Sequence, residues 1–205
     1  MYVFKCFINY SKEEKWLAEM AKKGYELVNA CFGYTFKKIT PEEAIYRIDY
    51  RQFKTKADFI DYCTLFEDSG WKHIVGSKSS GTQYFKKLKP DSDNDIFSDN
   101  MSKAGRYKRV SRMWGTLTAV YIPITIATIT TNSIGYKAFL NPKLLYYTPG
   151  LWEKTGIKFI GSFLFETPFA LMRILPLLLF PIMIFLSILF AYKAGKLAKE
   201  TMKSM

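Results

Sequence analysis

The residues that could do chemistry are few and scattered. The chain has one histidine, His73, which lies beside Trp71 in a strand-like stretch, where a lone imidazole is expected to be structural. Glu42 and Glu43 sit together at a turn, and Asp58 and Asp61 lie on a helical stretch among apolar residues, so solvated surface is expected for all four. Cys6, Cys31 and Cys63 fall in apolar segments with no CxxC and no histidine cluster, which points to reduced core cysteines rather than a metal site or a disulfide. Asp91, Asp93 and Asp95 have the odd-position spacing of a calcium loop. However, Ile96 stands where such a loop needs glycine, and Ser102 where it needs glutamate. There is no phosphate-cradling glycine loop, nucleophile elbow or HExxH. An enzyme needs a nucleophile with its base, paired carboxylates or metal ligands that converge. The sequence predicts none of these, and no catalytic, metal or cofactor site is expected.

The elements behind these residues fall into two halves of different character. The formal charge of +12 resolves into 16 Lys/Arg against 15 Asp/Glu in residues 1–100, and 14 against 3 in residues 101–205. The excess therefore flanks apolar segments, as the positive-inside rule and an anionic leaflet require, and does not gather on a folded nucleic-acid-binding domain. No nucleic-acid partner is expected.

Ile174 to Tyr192, ILPLLLFPIMIFLSILFAY, is free of charge on every face. At about 1.5 Å per residue it nearly matches the roughly 30 Å of bilayer hydrocarbon. Met113 to Thr131 is a second uncharged stretch. Thr118, Tyr121, Thr125, Thr128 and Asn132 recur on it at spacings of three and four, beside the small pair Gly115 and Ala119. In lipid such a stripe marks a helix–helix interface, and the sharper alternative is a polar transport path. Before it, Lys103, Arg106, Lys108, Arg109 and Arg112 form a basic juxtamembrane helix, capped by Ser98 or Asp99 and suited to anionic headgroups.

Residues 1–89 read as two β-α-β-β units. In the first, a strand over residues 2–10 precedes a helix with a capping box from Ser11 to Glu14, then a hairpin around Gly33 ends in Lys37-Lys38. In the second, the alternating run Ala44 to Arg51 precedes a helix from about Lys56 to Gly70, and a hairpin ends in Lys86-Lys87. Gly24-Tyr25 matches Gly70-Trp71, and Tyr34 to Lys38 matches Gln83 to Lys87, which predicts an internal duplication. The expected fold is an α+β domain with an antiparallel-rich sheet and helices on one face, followed by a two-helix transmembrane hairpin. Lys5, Arg47, Asp49 and Arg51 form an outward ladder, read as a solvated sheet face and a candidate partner-binding face. Residues 90–112 are the linker and basic helix, 113–131 the first span, 132–173 an extracytoplasmic loop with an interfacial segment, 174–192 the second span, and 193–205 a basic tail. The opening MYVFKCFINY lacks the features of an export signal, so the domain and both termini are placed in the cytoplasm.

KEEKWLAEMAKKGYEL, AIYRIDYRQFKTK, LFEDSGW, QYFKK and DIFSDN together resemble a bacterial domain-of-unknown-function family of small membrane proteins, often encoded beside PadR-type regulators. The resemblance covers residues 2–110 and implies a multi-pass protein of the bacterial cytoplasmic membrane, in an envelope-stress or transporter locus. It carries over no catalytic residue. The reading that follows is a membrane-tethered, non-enzymatic interaction or regulatory module that binds a membrane-protein partner or self-associates. The alternatives are a small homo-oligomeric channel lined by the threonine stripe, and a peptide-immunity protein.

Overall fold

The computed structural model describes residues 1–131 and 137–203, apart from the side chain of Phe139. It divides into two compact units, residues 1–112 with 191–205, and residues 113–190.

The first unit is α+β. Strands β1 (Tyr2–Val3), β2 (Tyr25–Asn29) and β3 (Tyr34–Lys38) form an antiparallel sheet in the order β1-β3-β2. Strands β4 (Tyr46–Tyr50), β5 (Trp71–Val75) and β6 (Thr82–Lys87) form a second, in the order β4-β6-β5. Helix α1 (Tyr10–Lys22) precedes β2, and α2 (Lys56–Asp68) precedes β5. The two units share more than strand order. Tyr25 pairs with Lys38 as Trp71 pairs with Lys87, Leu27 with Phe36 as His73 with Phe85, and each ladder shifts register at the next step. Gly24 and Gly70 both take positive φ after their helices, a conformation glycine adopts without a Cβ penalty.

The structure corrects the single-sheet expectation, because there are two three-stranded sheets with α1 held between them. Trp16 of α1 packs edge-on against Tyr34 and Phe36 of the first sheet, while Glu13 of the same helix reaches Tyr84 of the second. Helix α2 covers the other face of the second sheet, where Tyr62, Trp71 and Phe85 form a buried cluster with Phe53 and Phe66. The strand expected over residues 2–10 is only Tyr2–Val3. Its partner β3 begins at Tyr34, and the Tyr2 ring already lies against Gly33, so later residues have no strand to pair with. Helix α1 is capped two residues earlier than the capping box implied, with the Asn9 side chain accepting from the Lys12 amide. Glu14 is thereby released for another role.

Helix α3 runs unbroken from Asn100 to Thr131, with Asp99 Oδ1 accepting from the Ser102 amide at 2.6 Å at its start. Helix α4 (Lys137–Leu140) and two 3₁₀ turns, Pro142–Leu145 and Leu151–Glu153, lead to α5 (Gly156–Lys203). This last helix begins well before the expected second span. Glu166 and Arg173, which in sequence interrupt the apolar run, pair at 2.6 Å and so remove the charge that argued for a loop. Glu166 also accepts from the Tyr147 amide and the Thr148 hydroxyl, and Arg173 stacks on the Tyr147 ring and donates to Leu145 O. Pro168, Pro176 and Pro181 are accommodated within the helix. Both α3 and α5 contain segments long and apolar enough to cross a membrane.

Candidate functional site

Strand β4 is an edge, and edges leave backbone groups unpaired. Lys87 N donates to Ile45 O and Arg51 N to Gly81 O, so odd-numbered residues of β4 bond to β6. The even residues Tyr46, Ile48 and Tyr50 are the non-bonded pairs, and their N–H and C=O groups point away from the sheet.

Charged side chains from two helices meet this row. The Ile48 amide donates to Glu14 Oε1 at 3.0 Å, and the Ile48 carbonyl accepts from Arg106 Nη1 at 2.6 Å. Arg106 and Glu14 also pair directly at 2.5 Å, so a carboxylate of α1 and a guanidinium of α3 replace the missing neighbour strand. Arg106 is 0% exposed. Its guanidinium lies over the rings of Tyr10, Phe97 and Tyr107 at 5.0 to 5.4 Å and donates to Ser11 Oγ at 3.3 Å. Burial disfavours its charge, but Glu14, Tyr107 and Asp95 together hold the guanidinium above its ordinary pKa. One turn on, Arg109 donates to the Tyr50 carbonyl and to Asp49 Oδ1, each at 2.5 Å, while Tyr62 of α2 donates to Asp49 Oδ2 at 2.9 Å. Helix α3 is thus fastened to the edge strand at two successive turns.

Beside this row lies a buried carboxylate that pairs with no cation among the described residues. Glu13 is 2% exposed, and its Oε1 accepts from Tyr34 and Tyr84, each at 2.7 Å, one tyrosine from each sheet. Burial pushes its pKa up to about 7, against the lowering effect of the two hydroxyls. The same carboxylate helps hold both phenols above their ordinary value, after burial itself. His73 makes a 2.9 Å contact from Nε2 to Gln83 Oε1, and burial lowers its pKa. Among the described residues no group of three or more His, Cys, Asp and Glu lies close enough to hold a metal.

These placements correct several expectations, and the expected core cysteines are not all in the core, since Cys6 and Cys31 are exposed. Arg106 and Arg109 are engaged within the α+β unit, by the Ile48 and Tyr50 carbonyls and Asp49 of β4 and by Glu14 of α1. Lys103 is half-buried and pairs with Asp95 at 2.5 Å, whereas Lys108 and Arg112 stay exposed. The ladder of Lys5, Arg47, Asp49 and Arg51 is not one open face. Asp49 is 4% exposed beneath Tyr62 and Arg109, and Arg47 pairs with Asp95 at 3.4 Å. Lys5 lies outside any strand, over the rings of Phe7 and Trp16, and Arg51 lies over Tyr62. Helix α2 covers the face that alternation alone left open.

Sequence reasoning missed the roles of Glu13, Glu14 and Arg106, although a signal existed. Glu13 and Glu14 precede Leu17, Met20 and Ala21 at spacings of three to eight, on the apolar stripe of α1. Arg106 stands beside the buried Tyr107 and four residues before Val110.

In the second unit, Thr118 and Ser187 share a 2.7 Å hydrogen bond between α3 and α5. Trp114 packs on Phe190 and Tyr121 near Phe180, at 4.9 and 6.4 Å between ring centres. Thr125 and Thr128 instead donate to the carbonyls of Tyr121 and Ile124 in their own helix, at 2.7 and 2.8 Å. Asn132, the last member of the stripe, lies outside the described residues.

No curated protein and no solved structure matches this chain. A family profile described as a protein of unknown function (DUF2812) matches residues 9–119, a span holding α1 to β6, the capped edge and the start of the apolar part of α3. The chain belongs to the DUF2812 family.

Proposed function

We propose that the protein is a membrane-anchored, non-enzymatic interaction and regulatory module, an accessory or sensing component of a membrane complex. The observation that carries this reading is the continuity of α3. The helix whose Arg106 and Arg109 are fastened to β4 continues without a break into the apolar stretch from Met113 to Thr131. A change felt by the α+β unit at its edge strand has a direct mechanical route into that helix. The route also runs outward, from a membrane partner to the domain.

On this reading residues 113–131 and 174–192 cross the cytoplasmic membrane of a bacterium, and both termini lie in the cytoplasm. The basic residues at 101–112 and 193–203 support that orientation. A locus beside PadR-type regulators and an origin by internal duplication belong to the same proposal, the latter supported by the shared strand order and register. The Thr118–Ser187 bond and the ring contacts favour the polar stripe as a helix–helix interface. A pore lined by Thr125 and Thr128 would have to use hydroxyls already bonded to their own backbone.

The test is affinity purification of the tagged chain from its native membranes in mild detergent, with mass spectrometry. A stoichiometric membrane protein that is lost on Arg106→Ala supports the module. Recovery of the chain alone as a defined homo-oligomer that carries ions into liposomes contradicts it and favours the channel.

A further inference from the structure

The two ends of the α+β unit differ, and the end from which α3 leaves carries exposed aromatic rings. Along α3, Arg106 bonds to Ile48 and Arg109 to Tyr50, so β4 runs with the helix and Tyr50 is its end nearest Arg112. Thr82 pairs with Tyr50, which brings the turn over residues 76–81 to the same end. Tyr34 and Tyr84 share Glu13 Oε1, and Tyr84 pairs with Ile48, so β3 starts near the level of Ile48. The opposite end is marked by Glu26 of β2, which bonds to Lys86, the partner of Tyr46. The turn over residues 30–33 therefore projects toward the Tyr50 end, and Phe4 goes with it, because Val3 pairs with Tyr34. At about 3.3 Å per residue, Phe32 stands about 7 Å past Tyr34, as Tyr50 does past Ile48. Phe32 is thus level with Arg109, about one helical turn short of the apolar stretch that begins at Met113.

At this end Phe32 is 89% and Phe4 80% exposed, beside exposed Tyr2 and Val28. The tip is held in this form by its own bonds. The Tyr2 hydroxyl donates to Phe32 O, and Asn29 Oδ1 accepts from the Cys31 amide at 3.2 Å. Phe32 itself sits at φ 49°, a left-handed conformation uncommon for an aromatic residue. Exposed lysines surround the rings. The Phe53 amide donates to Lys78 O and α2 begins just after, so Lys54, Lys56 and Lys78 lie at this end, and Lys108 lies on the departing helix. Positive charge is in excess there, even with Asp58 in the first turn of α2. At the opposite end the lysines are paired, Lys22 with Glu43, Lys37 with Glu26, and Lys86 with Glu26 and Glu42.

We propose that this end of the α+β unit rests on the bilayer that α3 enters, with Phe4 and Phe32 seated at the boundary of headgroups and acyl chains and the lysines on anionic lipid phosphates. Exposed apolar rings beside lysines are what an interfacial lipid contact uses, whereas lysine is depleted from the cores of protein–protein interfaces. Because α3 already holds this end at the membrane, two shallow rings suffice to orient the domain without having to recruit it. The proposal rests on the reading of α3 as a membrane anchor and adds a second contact, sensitive to lipid charge, beside the residues that fasten α3 to β4.

The test uses the full chain with Cys6, Cys31 and Cys63 replaced by serine, in nanodiscs of phosphatidylcholine with or without phosphatidylserine. An environment-sensitive fluorophore is placed on one introduced cysteine at a time, and the quencher is phosphatidylcholine carrying a nitroxide near the top of its acyl chain. Quenching at Phe32→Cys should exceed that at Glu43→Cys, on the opposite end, by about tenfold. With the label on Ser79→Cys, in the neighbouring turn, quenching should fall about threefold in Phe4→Ser/Phe32→Ser, and should also fall when phosphatidylserine is omitted. Equal quenching at Phe32 and Glu43, a blue shift at Phe32 without quenching (a protein contact), or Ser79 quenching that ignores either change would each overturn the proposal. A label on Ile182→Cys, in the second apolar span, separates the two readings. Quenching there with none at Phe32 removes the surface contact and leaves the anchor, whereas its absence at Ile182 removes both.

Discussion

Replacing Glu13 by glutamine should remove a pH dependence that the wild-type α+β unit carries. Glu13 is buried between two sheets, accepts from two tyrosine hydroxyls, and has no cation bonded to it. Its pKa is raised from 4.5 to about 7 in the folded chain. Because the folded state holds the proton more tightly, the unfolded state is deprotonated first as pH rises, and stability falls between those two values. A tenfold change in proton affinity is worth about 1.4 kcal/mol, so ionised Glu13 costs about 3 kcal/mol of stability above pH 7. The cost is absent below pH 4.5. Glutamine keeps an oxygen for the two tyrosines and cannot ionise. Urea unfolding of the full chain in detergent, with Trp114 and Trp152 replaced by phenylalanine so that fluorescence reports Trp16 and Trp71, should show Glu13→Gln gaining on the unmutated Glu13 chain as pH rises from about 5 to about 8. Subtracting the two profiles cancels groups common to both, including His73. A difference that stays flat across this range would mean that Glu13 is solvated or paired, and that α1 is not held between the sheets as described.

Arg106→Ala leaves Glu14 buried without its partner and the Ile48 carbonyl without a donor. It should cost about 3–5 kcal/mol in the same unfolding assay, with Arg106→Ala/Glu14→Gln recovering part of the loss. Thr118→Val and Ser187→Ala should each lower the stability of the α3–α5 pair by about 1 kcal/mol, with the double variant no worse than either single one, as read by steric trapping in bicelles. Lys108→Gln/Arg112→Gln should weaken flotation with phosphatidylserine vesicles at about 1 kcal/mol per charge, relative to wild type. Arg109→Gln should leave flotation unchanged while lowering domain stability, since its charge is spent on Asp49.

Local elements were legible because their signals are local. Helix α2 is capped by Thr55, whose hydroxyl accepts from the Asp58 amide, and both hairpins end at the expected lysine pairs. Gly24 and Gly70 take the same positive-φ conformation, and the two lysine pairs fall at corresponding places in the two ladders. The site was harder to read, because its partners are distant in sequence. Glu14 looks like a capping-box residue when only its own turn is considered, and Arg106 looks like a headgroup ligand when only its basic neighbours are. Their pairing spans α1, β4 and α3, and no spacing rule connects residues 14, 48 and 106. The ladder on β4 failed for a related reason. Alternation assigns Asp49 to one face of a strand, but it does not say that α2 will cover that face. The charges at 166 and 173 likewise read as a break until their pairing made one helix of residues 156–203.

Hydrogen exchange at the Ile48 amide, in the full chain embedded in a bilayer, tests the fastening of α3 most directly. On an uncapped edge strand this amide exchanges quickly, and only Glu14, held in place by Arg106, protects it. Exchange should be slow in wild type, at least a hundredfold faster in Glu14→Ala, and intermediate in Arg106→Ala. Rapid exchange in wild type, or protection that survives Glu14→Ala, would contradict the fastening.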